Sequence, residues 1–102
     1  MRYRVRYTEE ARLDLIRLHD FVLETSDGDI ELAERALDAI ERGMRILEDS
    51  PFSCRKATPG DPLLRELLIS FGSAGYLALY KITDARTVTV IAVRHQREDD
   101  YH

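Results

Sequence analysis

A single cysteine, Cys54, has no partner within the chain, so no internal disulfide supports the fold, and this usage fits a reducing cytoplasm. Apolar runs are only a few residues long, far below the roughly 20 that a helix needs to cross a bilayer. The start, Met1-Arg2-Tyr3-Arg4-Val5, lacks the apolar stretch of a secretory leader. Neither a repeat nor a low-complexity segment is present, and charges of the two signs alternate instead of forming blocks, which argues against long disorder. Basic residues are also not in excess. Lys56 and Lys81 are the only lysines, and 15 Lys and Arg against 19 Asp and Glu leave a net charge of −4. A protein that grips nucleic acid over most of its surface needs the opposite balance, so any such contact here would rest on a local basic patch. What the chain does have is 44% hydrophobic residues within 102, enough for one domain with a real core, of a size that often leans on a partner.

Arginines alternate with Tyr3, Val5 and Tyr7 from Arg2 to Tyr7, the period of a strand with one buried face. Thr8 followed by Glu9, Glu10 and Ala11 reads as an N-cap with acids at the positive end of a helix dipole. Ala11, Leu15, Leu18 and Val22 then recur at helical spacing, predicting a helix to about Glu24. Ser26-Asp27-Gly28-Asp29 forms a turn in which Gly28 is free to take positive φ. Ala33, Leu37, Ile40, Met44 and Leu47 step by four, three, four and three, a seam for packing on another helix, so the two helices form an antiparallel hairpin. Pro51 ends the second helix, and residues 51–62, with three prolines and a glycine, are expected to be an irregular loop. Three strands follow: Leu64 to Phe71, Tyr76 to Thr83 and Thr87 to His95, joined by turns at Gly72-Ser73-Ala74-Gly75 and Asp84-Ala85-Arg86. The expected class is α+β, ordered β-α-α-β-β-β, with a helical hairpin packed on a small, mainly antiparallel sheet.

The first helix opens on Ala11-Arg12-Leu13-Asp14-Leu15, and the hairpin exits through Ile46-Leu47-Glu48-Asp49-Ser50-Pro51, with Phe52 and Arg55 beyond. Arg65 lies on the first strand of the meander, Tyr76-Leu77-Ala78-Leu79-Tyr80-Lys81-Ile82 on the next, and the last closes on Ile91-Ala92-Val93-Arg94-His95-Gln96-Arg97-Glu98. In these segments, their order and the overall length, the chain resembles the RelE/ParE superfamily of toxins from type II toxin–antitoxin systems. The ending Val93-x-His95-x-Arg97 resembles the ParE side more closely. The resemblance implies a growth-inhibiting cytoplasmic toxin of the kind that stabilises plasmids, held by a cognate antitoxin in a hetero-oligomer. It also implies DNA gyrase as the target, with ribosome-dependent mRNA cleavage as the alternative.

The alternative makes chemical demands that can be matched to residues. A base must take the 2′-hydroxyl proton, cations must hold the crowded phosphate, and an acid must protonate the leaving oxygen. His95 is the candidate base or acid, and Arg65, Arg94 and Arg97 are candidates to hold phosphate. Tyr101 would stack on a base or donate a proton. In a regular strand Arg94 and His95 point to opposite faces, so only one of them can serve a given site. His95 is equally suited to closing the strand with a hydrogen bond, Arg65 to neutralising an acid, and the tail from Arg97 to Asp100 to being a solvated charged end. A metal site from His95, Asp99 and His102 matches no established spacing, and no metal or cofactor is expected. Gyrase poisoning needs only a protein-binding surface, which an acidic chain can supply. For the antitoxin, Phe52 in the proline-rich segment and the exposed edge of the sheet are the candidate seats.

Overall fold

A computed structural model of the chain describes residues 2–72 and 74–96. Strand β1 (Arg4–Tyr7) leads into helix α1 (Glu9–Thr25), helix α2 (Ile30–Met44) and the single turn α3 (Ile46–Asp49). A 3₁₀ turn over Pro51–Ser53 then precedes strands β2 (Arg55–Thr58), β3 (Asp61–Phe71), β4 (Ala74–Asp84) and β5 (Thr87–His95). The five strands form one sheet ordered β1-β5-β4-β3-β2. β1 runs parallel to β5 and every other neighbour is antiparallel. The α+β class and the β-α-α-β-β-β order are those expected. None of the described helices is long and apolar enough to cross a membrane.

Thr8 joins sheet to helix. Its Oγ1 accepts from the Ala11 amide at 3.0 Å and donates to the Ile91 carbonyl at 3.1 Å, while its own amide bonds the Val90 carbonyl at 3.0 Å. One residue thereby caps α1 and fixes where the helix leaves the edge of β5. α1 ends through amide bonds from Ser26 to Val22 and from Gly28 to Leu23, with Gly28 at φ +87°. Asp29 caps α2 by accepting from the Leu32 amide at 3.0 Å.

The core lies between the helical hairpin and one face of the sheet. Ala11, Leu18 and Val22 from α1 and Ala33, Ala36, Ile40 and Met44 from α2 pack on Leu67 and Ile69 of β3, Tyr76, Ala78, Tyr80 and Ile82 of β4, and Val88, Val90 and Val93 of β5. The three β5 valines are completely buried, and each contributes roughly 1.5–3 kcal/mol from apolar burial. Small alanines on the inner helix faces let the hairpin lie close to the sheet. Gly75 also permits a close approach. A Cβ there would lie 2.3 Å from the Ile69 carbonyl oxygen, so this position on β4 has no room for a side chain.

Four expectations need correction. Residues 51–62 are not an irregular loop: after the 3₁₀ turn, Arg55 and Lys56 pair with Glu66 and Arg65, making β2 an edge strand. The prolines sit where a strand tolerates them, before β2, in the turn, and second in β3. The second helix does not run unbroken to Leu47. It tightens at Arg45, whose amide bonds the Arg42 carbonyl, and resumes as α3. β1 begins at Arg4 because the Tyr3 amide is taken by Glu48. Gly75 belongs to β4 and not to the preceding turn.

Candidate functional site

Strand alternation sends Leu64, Glu66 and Leu68 of β3, and Leu77, Leu79 and Lys81 of β4, to the side of the sheet opposite the core. On β5 the register slips: Tyr80 pairs with Val90 and Leu79 with Ala92, leaving Ile91 as an extra residue. This bulge reverses the alternation. Val88 and Val90 face the core before it, Val93 faces the core after it, and Ala92 and Arg94 join Leu77 and Leu79 on the open face. Among the described residues no element covers that face. It carries a small cavity of about 130 Å³ lined by Glu66, Leu77, Leu79, Ala92 and Arg94. Leu68 beside it is half exposed, and Arg55 closes the rim through a 3.0 Å bond to Glu66.

Arg94 is oriented from the other side by α1. Asp14 Oδ2 accepts from the Arg94 guanidinium at 2.7 Å and from the Val93 amide at 2.9 Å. β1 ends at Tyr7, so the outer edge of β5 beyond Val90 has no strand to pair with. The Asp14 carboxylate, only 15% exposed, takes the place of the missing strand there. Arg17 stands 3.8 Å away and shares the carboxylate.

The nominated residues that are described, His95, Arg65 and Arg94, are dispersed. His95 lies on the helix side of the sheet, between the Phe21 ring at 5.7 Å and the Tyr76 ring at 5.4 Å, edge-on to the latter. Arg65 faces the same side at the far end. Its guanidinium donates to the carbonyls of Pro62, Phe52 and Cys54 at 2.8, 3.1 and 2.8 Å and lies 5.4 Å over the Phe52 ring. The β4 partners of Arg65 and His95, Tyr80 and Tyr76, are four residues apart, about 13 Å along a strand at ~3.3 Å per residue. Arg94 is on the opposite face from both. Arg97 and Tyr101 lie outside the described residues, as do Asp99 and His102 of the metal alternative.

Phe52 is half exposed, its backbone and ring both tied to Arg65. The segment behind it is anchored again by Tyr80, a completely buried side chain whose hydroxyl donates to the Pro51 carbonyl at 2.5 Å. Burial, reinforced by the neighbouring Cys54, pushes the Tyr80 hydroxyl well above the usual tyrosine range. Burial raises Tyr76 as well, and it raises Tyr7 with help from Glu41 and Glu48. All three phenols stay protonated at neutral pH.

Sequence reasoning did not single out Asp14 or the leucine face. The signal for the face was nonetheless there: β3 and β4 are apolar at successive positions, Leu67-Leu68-Ile69 and Leu77-Ala78-Leu79, where a strand with one face in water should alternate.

A helical hairpin on one face of a five-stranded mixed sheet, with an apolar opposite face, defines a small α+β domain built to be covered. Residues 5–100 match the family of ParE toxins of type II toxin–antitoxin (parDE) systems. The chain therefore belongs to the ParE toxin family, within the RelE/ParE superfamily. It is 33% identical over 90 residues to Toxin RelE3 of Caulobacter vibrioides, an alignment that spans 86% of this chain and 88% of that protein. Its fold is similar to a chain of the chromosomal ParDE system from P. aeruginosa, with a TM-score of 0.71 at 15% identity, covering 91% of this chain and 95% of that one.

Proposed function

We propose that this type II toxin arrests growth as a ParE-like poison of DNA gyrase, through contacts with the enzyme and without an RNA-cleaving centre of its own. The separation of His95 from Arg65 and Arg94, the nominated cations among the described residues, supports this reading. The imidazole is packed between two rings on the helix side, Arg65 gives its guanidinium to three main-chain carbonyls, and Arg94 is turned to the other face by Asp14. General acid–base cleavage needs these groups within hydrogen-bond reach of one phosphate.

The partner that restrains the toxin is a cognate antitoxin, forming a hetero-oligomer with it in the cytoplasm. Its seats are the exposed Phe52 ring and the uncovered leucines around Leu68, Leu77 and Leu79, an apolar surface that a lone soluble domain has reason to cover. The deciding experiment runs purified toxin in a gyrase supercoiling assay beside an mRNA cleavage assay on translating ribosomes. The expected result is loss of supercoiling with trapped cleaved DNA and intact mRNA, unchanged in a His95→Ala variant that folds. Codon-positioned mRNA cuts that disappear on His95→Ala would replace this reading with ribosome-dependent RNase activity.

A further inference from the structure

At the end of the open face away from Arg94, the surface changes character. Val5 and Tyr7 of β1 pack on the core, so Arg4 and Arg6 stand on the opposite, uncovered side, about 6.6 Å apart at ~3.3 Å per residue. Their register partners on β5 are Thr87 and Thr89, which share that face. Thr83 of β4 adjoins them, its hydroxyl 3.4 Å from that of Thr89. The turn between β4 and β5 brings Arg86 to the same corner, because the Arg4 amide bonds the Arg86 carbonyl at 2.7 Å. An open cleft of about 650 Å³ runs between Tyr3, Arg4, Asp84, Arg86 and Thr87.

Among the described residues no carboxylate comes within ion-pair distance of the Arg4, Arg6 or Arg86 guanidinium, whereas Arg2, Arg17, Arg55, Lys81 and Arg94 each have one. Asp84, which lines the same cleft, accepts from the Arg86 amide at 2.7 Å; that bond first, with the charge of Arg4 among lesser causes, holds its carboxyl below the usual range. In a chain of net charge −4, three arginines are thus concentrated at one corner with no described carboxylate within ion-pair distance. The leucines lie on the other part of the face. The corner offers guanidinium and hydroxyl donors without an apolar anchor, the composition of a phosphate-backbone contact and not of a peptide groove.

The geometry points to this corner, Arg4, Arg6 and Arg86 with Thr87 and Thr89, as a contact site for the phosphate backbone of the duplex DNA that gyrase holds. The inference rests on the gyrase reading above and adds to it that the toxin engages enzyme and DNA together. Each arginine neutralises one phosphate. The salt dependence of binding then steepens by about 0.9 in log K against log salt per contact, about 2.7 for three.

The test measures binding of labelled toxin to gyrase, with and without a bound DNA duplex, between about 50 and about 200 mM salt. DNA should strengthen binding of the wild type, and that gain should fall about 40-fold across this salt range, the slope for three phosphate contacts. A triple variant, R4Q/R6Q/R86Q, should bind gyrase alone as the wild type does and show no gain from DNA. A second triple variant, R12Q/R35Q/R42Q, removes the same charge from exposed helix positions and should keep the gain. Thermal unfolding of each variant shows that it folds.

A wild type indifferent to DNA, or a gain that survives R4Q/R6Q/R86Q, overturns the inference while the gyrase reading stands. Equal loss in both triple variants also overturns it, since net charge alone would then be responsible. A corner variant that keeps the DNA gain but loses antitoxin binding more than 10-fold assigns the corner to an acidic protein segment instead. Absence of any binding to gyrase removes the target reading, and this inference with it.

Discussion

Replacing Asp14 by alanine removes one carboxylate that serves two elements. In the wild type it accepts from the Val93 amide at 2.9 Å and from the Arg94 guanidinium at 2.7 Å, and it is 15% exposed. In D14A the Val93 amide, on an edge that no strand covers, loses its acceptor in a partly buried setting. A hydrogen bond to a charged group contributes about 1.5–3 kcal/mol, and an orphaned buried donor costs about 1–3 kcal/mol. The Arg94 bond is worth less than its length suggests, because that side chain is 30% exposed and solvent screens it. Together the expected loss is about 2–3 kcal/mol, or a fall in Tm of roughly 8–24 °C at about 4–8 °C per kcal/mol for a domain of this size. D14N keeps an acceptor oxygen for the amide and loses only the charge, so it should cost about 1 kcal/mol. Urea unfolding of wild type, D14A, D14N, R94A and D14A/R94A measures this directly, and the cycle isolates the Asp14–Arg94 share. D14A within about 0.5 kcal/mol of wild type would refute the edge-capping role. D14N as damaging as D14A would show that the ion pair, and not the Val93 amide, carries the effect.

Four further outcomes follow from the same contacts. Gly75→Ala places a Cβ against the Ile69 carbonyl and should destabilise by about 2–3 kcal/mol in urea unfolding. Arg65→Lys cannot span three carbonyls, so it should loosen the Pro51–Cys54 segment, cost about 1–2 kcal/mol and speed limited proteolysis there, with toxin potency retained once folded. Phe52→Ala should leave stability within about 1 kcal/mol of wild type, the ring being half exposed, while weakening antitoxin binding by calorimetry. The phenols of Tyr7, Tyr76 and Tyr80 titrate above the ordinary tyrosine value in the folded chain. Stability from them is therefore full below about pH 10, the unfolded value, and is lost as the pH rises above it. Tyr80→Phe should lower stability at neutral pH and flatten that alkaline loss, as read by chemical denaturation across the range.

Much of the fold was legible because its local signals agree. Thr8 before Glu9 and Glu10, the turn at Gly28, and the four-three spacing from Ala33 to Leu47 each point to the elements found. β2 was not legible, since Arg55-Lys56-Ala57-Thr58 has no apolar alternation and becomes a strand only through its pairing with β3. The break at Arg45 was hidden for a related reason. The apolar seam runs unbroken through it, because Leu47 remains buried in the short following turn. For the site, residue chemistry without register misled most. His95 at a strand end and Arg65 on the first strand of the meander read as partners for one phosphate, yet the register of the two intervening pairings sets them far apart. Arg4, Arg6 and Arg86 lie 82 residues apart in sequence at their extremes, and only the parallel pairing of β1 with β5 unites them.

The bulge at Ile91 explains why the end of β5 resists a simple reading. Without it, alternation from Val88 and Val90 would put Ala92 and Arg94 on the core side and Val93 and His95 on the open face. The extra residue reverses this, burying Val93 and turning Arg94 outward towards Asp14. The same reversal places His95 among the rings of Phe21 and Tyr76, where its imidazole packs the helix against the sheet. A regular strand that kept Ile91 would exchange the two side chains: His95 would reach the uncovered face beside Leu77, and Arg94 would turn into the core. Deleting Ile91 tests the point. Ile91 is the extra residue, so the deletion joins Val90 to Ala92 in regular alternation and should leave Val93 and His95 on the helix side and the Asp14–Arg94 contact in place. If the deletion variant instead loses the Asp14–Arg94 coupling, removing the extra residue does not regularise the strand, and the placement of His95 needs a different cause.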